Sequence, residues 1–107
     1  MTEKDVLLKA ANAMEGLGYA RYVRHARQQD VDRGNADRPE SVCLLGALEI
    51  ALGEETLNMD HPIIQLIGTA IARAPVNKSA FLYCTQWSNA TDGQTVVRGL
   101  RALANSL

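Results

Sequence analysis

Apolar residues recur at helical spacing in several stretches of this chain, and the densest is Ser41 to Gly53, where Glu49 is the only charge. Leu44, Leu45, Leu48, Ala51 and Leu52 fall on one stripe, while Val42, Ala47 and Ile50 cover most of the remaining circumference. This predicts a helix over 41–52 that is enclosed on nearly all sides. The fold expected around it is an all-α, compact bundle of four to five helices, in one domain spanning 1–107.

The flanking pattern supplies the other helices. Thr2 can cap a first helix whose inner face is Leu7, Ala10, Ala11, Met14 and Leu17, with Gly16 and Gly18 as the stop. Tyr19, Tyr22, Val23 and Ala26 fit a short helical stripe, with an extended run as the alternative. Gln28 to Glu40 is polar and reads as a long loop, a candidate for mobility or for a working surface. Asp37 or Ser41 is the expected cap of the central helix, with Pro39 in its first turn, and Gly53 closes it. Glu54 to Asp60 is expected to be a connection that packs Leu57 and Met59 back onto the core.

Asp60 or His61 then caps a helix entered through Pro62, whose apolar positions from Ile63 to Ala74 again spread around most of the circumference, and Pro75 ends it. Ser79 caps a short helix over 80–87, for which an extended conformation is the alternative, and Ser88 to Gly93 is turn sequence. Thr95 caps a last helix with Val96, Leu100, Leu103 and Leu107 inward and Arg98 and Arg101 toward water. Gly46 and Gly68 each interrupt an apolar helix. Because an interior glycine costs about 1 kcal/mol relative to alanine, they mark places where two backbones are expected to approach closely.

Composition changes this picture little. With 47% hydrophobic and 21% charged residues the chain has globular proportions, and a formal net charge of −1 opposes a dominant nucleic-acid footprint. The start Met1-Thr2-Glu3-Lys4-Asp5 lacks the basic and apolar regions of a signal peptide, and Ile63 to Ala72 is about half of the ~20 residues that a membrane span needs. A cytoplasmic protein is expected, with Cys43 and Cys84 as reduced, buried thiols and a disulfide between them as the alternative.

Candidate chemistry is thin. Cys43, Cys84, His25 and His61 make up a zinc ligand set by type, yet no two of them have the local spacing that fixes a site, so no metal and no cofactor are expected. Without clustered acids, bases or ligands the chain does not read as an enzyme. Trp87 with Asn89, Thr91 and Asp92 is the most distinctive polar and aromatic group, and its structural reading is a core tryptophan followed by a backbone-bonded turn. A helix-turn-helix over 41–74 fails because the second helix offers only Gln65, Thr69 and Arg73 to bases.

The order Cys43-Leu44-Leu45-Gly46-Ala47-Leu48 with Ala51 and Gly53, then Trp87-Ser88-Asn89, then Thr95 opening a terminal amphipathic helix, resembles an uncharacterised family of small helical proteins from actinobacteria and their phages. The resemblance covers roughly 40–107. Ser88-Asn89 stands where the family shows Asn-Asp, and Gln94 stands in place of Arg. It implies the helical fold and a phage or mobile-element origin, and no activity. Since a chain of this size encloses one helix completely while two are apolar all round, the second is expected to expose apolar surface. The expected function is therefore a protein-interaction module with Ile63, Ile67, Gly68 and Ile71 at the contact of a homodimer or of a host protein. The alternative is a regulatory nucleic-acid binder using Arg21, Arg24, Arg27 and Arg38.

Overall fold

Thr2 opens the first helix by a reciprocal cap: its hydroxyl accepts from the Asp5 N–H at 3.2 Å, and the Asp5 carboxylate accepts from the Thr2 N–H at 3.3 Å. A computed structural model describes residues 2–53 and 57–107. They form α1 (Glu3–Leu17), α2 (Gln28–Asp32), α3 (Leu44–Leu52), α4 (Pro62–Ala70), α5 (Ala80–Ala90) and α6 (Gly93–Asn105), without a strand among the described residues, so the fold is an all-α bundle. The first helix packs on α3 and α6, α4 packs on α5, and α3 also reaches α5. No helix is long and apolar enough to cross a membrane among the described residues.

One core runs through all five long helices. Leu7 and Met14 of α1, Leu44 and Leu48 of α3, Ile63, Ile64 and Ile67 of α4, Cys84 of α5, and Val96 and Leu100 of α6 are all buried in it. Each such aliphatic side chain contributes about 1.5–3 kcal/mol by leaving water. The expected central helix is central: among its large apolar residues only Ile50 is exposed, at 46%. Both internal glycines sit at close backbone approaches. A Cβ on Gly46 would collide with the Arg24 carbonyl oxygen, and one on Gly68 would lie 2.6 Å from the Ala80 carbonyl oxygen.

Glu49, the lone charge of the apolar run, is 3% exposed. Its carboxylate accepts from Arg24 Nη1 at 2.8 Å and from the Leu57 N–H at 3.0 Å, so it ties two non-helical segments to α3. A buried carboxylate without such partners would be strongly unfavourable. Leu57 is buried as expected, Met59 is exposed, and positions 54–56 lie outside the described residues.

Several boundaries differ from the periodicity, each for a local reason. Residues 19–26 are bridged at Tyr19 and Ala20 and bent beyond them rather than helical, because their amides pair across to a distant stretch. Ala20 donates to the Val42 carbonyl, Arg21 to Asn35 and Ala26 to Ser41, at 3.0, 2.7 and 2.8 Å. The expected long loop holds α2 and is hydrogen-bonded back along 18–26, with the Asp37 and Glu40 amides donating to the Tyr19 and Ala26 carbonyls.

Neither Asp37 nor Ser41 caps α3, which starts at Leu44 after Cys43 without a side-chain cap. The helix from Pro62 stops at Ala70: the Ala74 amide turns back to the Gly68 carbonyl at 2.8 Å, and Arg73 takes φ 58°. His61, not Asp60, is its cap, through Nδ1. The α5 helix absorbs Ser88 and Asn89, and Asp92 rather than Thr95 caps α6. Leu107 lies outside the inward stripe at 54% exposure.

Candidate functional site

The segment 18–43 passes over the ends of α1 and α6 and leaves an open cleft of about 880 Å³ against them. Arg21 and Arg38 line it from that segment, and Arg98 and Arg101 from α6, with the carboxylates of Glu15, Asp37 and Asp92 among them. Most of these groups also build the fold. Arg38 donates to the Gly16 carbonyl at 2.6 Å and so closes the negative end of α1. Arg101 holds Glu15 through two contacts of 2.9 and 3.1 Å and reaches Asn12 at 3.0 Å, tying α6 to α1. The guanidinium holds the Glu15 carboxyl below its ordinary range, and Glu15 in turn raises the Arg101 value.

Asp37 accepts from the Tyr19 N–H at 2.9 Å. Asp92 accepts from the Thr95 N–H and hydroxyl at 2.9 and 2.8 Å, and those bonds, the backbone one first, lower its pKa.

Tyr19 forms part of the cleft wall. Its ring fills the space beside Gly93, where a Cβ would come within 2.6 Å of the Tyr19 Cβ. The Arg21 guanidinium stands 6.0 Å from the centre of that ring, within cation–π range. The Tyr19 hydroxyl is buried with no hydrogen-bond partner among the described residues, and desolvation pushes the phenol up to about 12.

The next residue after Arg21 is unusual. Tyr22 is 71% exposed yet adopts φ 68°, a left-handed conformation that a large side chain rarely takes. Its N–H donates to Asn89 Oδ1 at 3.2 Å, so α5 holds the corner in place.

The residues singled out from sequence separate in space. Ile63 and Ile67 are enclosed in the core, Gly68 is buried against Ala80, and Ile71 is half-buried, so they do not form the exposed apolar contact expected of them. The reason is that α5 covers this face, while α4 turns Gln65, Thr69 and Ala70 to solvent.

The four arginines do not make one patch. Arg21 and Arg38 share the cleft, Arg24 is paired with Glu49, and Arg27 lies by a shallower hollow with His25 and Glu40. Trp87 is half-buried, with Gly99 of α6 against its ring, and Asp92 bonds to the Thr95 backbone as expected, whereas Asn89 lies within α5 and accepts from the distant Tyr22 N–H rather than from a turn. Cys43 and Cys84 are free and buried, desolvation raising both thiols, Cys84 to about 12. His61 uses Nδ1 for capping, and no three His, Cys, Asp or Glu side chains gather as a metal set among the described residues.

Sequence reading missed the pairing of Arg98 and Arg101 with Arg21 and Arg38. Their spacing on α6 signals a common face but not what that face meets. No family model, curated protein or solved structure matches this chain.

Proposed function

We propose that the chain is a protein-interaction module that acts by binding rather than catalysis, with its contact surface at the Arg21–Tyr22 corner and the adjoining cleft. Tyr22 carries the reading: an aromatic ring 71% exposed, on a backbone at φ 68° that an asparagine from another helix holds in place. The left-handed conformation costs about 1–2 kcal/mol, and an exposed ring returns nothing to the core. Tyrosine and arginine are the side chains in which interface energy concentrates. The cleft has no serine, cysteine, histidine or lysine in its lining, and its three carboxylates are each held by a donor of the fold, which supports binding over covalent or acid–base chemistry. The resemblance to phage and actinobacterial proteins favours a cytoplasmic host protein as the partner over a second copy.

The test captures partners from host extract on the tagged wild type and Tyr22→Ala, identifies them, and measures each again as purified protein beside sedimentation of the wild type alone. A complex or dimer weakened about thirtyfold or more by Tyr22→Ala, with an unchanged circular dichroism spectrum, is expected of an interface anchor. Equal binding by Tyr22→Ala, or a monomer with no reconstituted partner, refutes the reading. A nucleic-acid role retains Arg21 and Arg38 in one cleft, but three carboxylates there oppose a polyanion. Filter binding at low salt with a steep salt dependence would reinstate it.

A further inference from the structure

The polar groups of the cleft divide into those the fold uses and those it leaves available. All three carboxylates have donors: Glu15 from Arg101, Asp37 from the Tyr19 N–H, and Asp92 from Thr95. Arg38 serves the Gly16 carbonyl and Arg101 serves Glu15. Arg21 and Arg98 remain. Arg21 is held only over the Tyr19 ring at 6.0 Å, Arg98 only by the Thr95 hydroxyl at 3.3 Å, and neither has an ion-pair partner among the described residues. Gly93 and Gln94, also on the cleft wall, begin α6, so their N–H groups have no acceptor within the helix. These unused donors thus lack a negatively charged acceptor in the fold, and they come from two segments far apart in sequence.

We infer that this cleft recognises a segment of the partner protein that carries two spaced carboxylates, one gripped by Arg21 on one wall and one by Arg98 on the other. The inference rests on the protein-interaction reading and names the chemistry of what is bound. Planar guanidiniums match carboxylates, taking two parallel hydrogen bonds each. The side chains are already positioned, one by an aromatic ring and one by a hydroxyl, which lowers the ordering cost of binding. Glu15, Asp37 and Asp92 stay in the cleft, so a densely charged phosphate strand meets three fixed negative groups. Isolated carboxylates on a peptide can be placed between them. A cleft of about 880 Å³ holds a few residues of such a segment.

The experiment titrates an N-acetylated, C-amidated peptide with two Glu residues separated by neutral ones into isotope-labelled full chain, following backbone amides and arginine Nε–H signals by NMR. The same peptide with Gln for Glu, inorganic phosphate and a single-stranded oligonucleotide serve as comparison ligands. Expected are shifts at Arg21, Gly93, Gln94 and Arg98, and about tenfold weaker binding in each of Arg21→Gln and Arg98→Gln, as for loss of one charged hydrogen-bonded contact. Arg33→Gln, an exposed arginine outside the cleft, should leave binding unchanged.

Equal affinity for the Gln peptide, tighter binding of phosphate or oligonucleotide, or equal weakening by Arg33→Gln overturns the inference. Partner capture separates this failure from that of the parent reading. If Arg98→Gln keeps a partner that Tyr22→Ala loses, the acidic-segment site falls and the interaction module stands; if both variants keep it, the interaction surface itself falls.

Discussion

Replacing Gly46 by alanine sets helix propensity against tertiary contact. Propensity alone stabilises α3 by about 1 kcal/mol. The structure reverses the sign. The new methyl group would collide with the Arg24 carbonyl oxygen and lie 2.9 Å from its carbon and 3.2 Å from its Cα. These are backbone atoms, so no side-chain rotation relieves the overlap. The Arg24 peptide must move, yet it is tethered by the Arg24–Glu49 contact of 2.8 Å and by the Ala26–Ser41 and Glu40–Ala26 hydrogen bonds, each 2.8 Å. Overpacking of this kind costs about 1–3 kcal/mol, and weakening of the part-buried Arg24–Glu49 pair adds to it. With about 1 kcal/mol for the weakened pair and about 1 regained from propensity, a net destabilisation of about 1–3 kcal/mol is expected.

The control is Gly16→Ala in α1, where a Cβ meets nothing within 4 Å and the gain should appear, about 0.5–1 kcal/mol. Urea unfolding followed by far-ultraviolet circular dichroism measures both, with the slope checked for constancy. If Gly46→Ala is as stable as the wild type at unchanged slope, the close crossing of segment 24 over α3 is wrong.

Four further outcomes follow from the same contacts. Glu49→Ala leaves the buried Leu57 amide without its acceptor and Arg24, 38% exposed, without its partner, and should cost about 1–3 kcal/mol in urea, whereas Glu15→Ala should change the midpoint less, because that pair is open to water. Stability should fall as pH rises from about 9 toward 12: the unfolded chain releases the Cys84 proton near 9.0 and the folded one only at about 12, so unfolding is favoured in that window, joined above 10.0 by Tyr19. Replacing Cys84 by Ala should shift this alkaline limb upward, as read in pH-dependent urea midpoints. Below the ordinary carboxylate range the sign inverts. Glu15 and Asp92, both held low, lose their stabilising charge as pH falls through their folded values, which thermal melts in acid should register. Tyr22→Gly should leave stability unchanged or raised by about 1 kcal/mol while abolishing partner binding, because it removes backbone strain together with the exposed ring.

The elements of this protein were legible where their causes are local. The cap at Thr2, the His61-Pro62 entry, the Ser79 cap and the centrality of Leu44, Leu48 and Ala51 all depend on bonds or periodicities spanning a few residues, which a linear reading captures. Gly46 and Gly68 announced close approaches through their cost to a helix, although not which segment approaches. The tertiary structure alone decided the rest. Tyr19 to Ala26 has a helical stripe, but its amides find carbonyls at Asn35, Ser41 and Val42, and hydrogen bonds at that separation override a short helix.

The apolar surplus of α4 read as an interface because periodicity does not say which helix covers it, and the cover is the next one, α5. The cleft was invisible because Arg21 and Arg98 lie in opposite halves of the chain, and each looks like an ordinary surface arginine until α1 and α6 pack. Which charges are neutralised inside the fold and which are left unpaired is a property of long-range placement, because Coulomb and hydrogen-bond partners are chosen by distance in space and not by position along the chain.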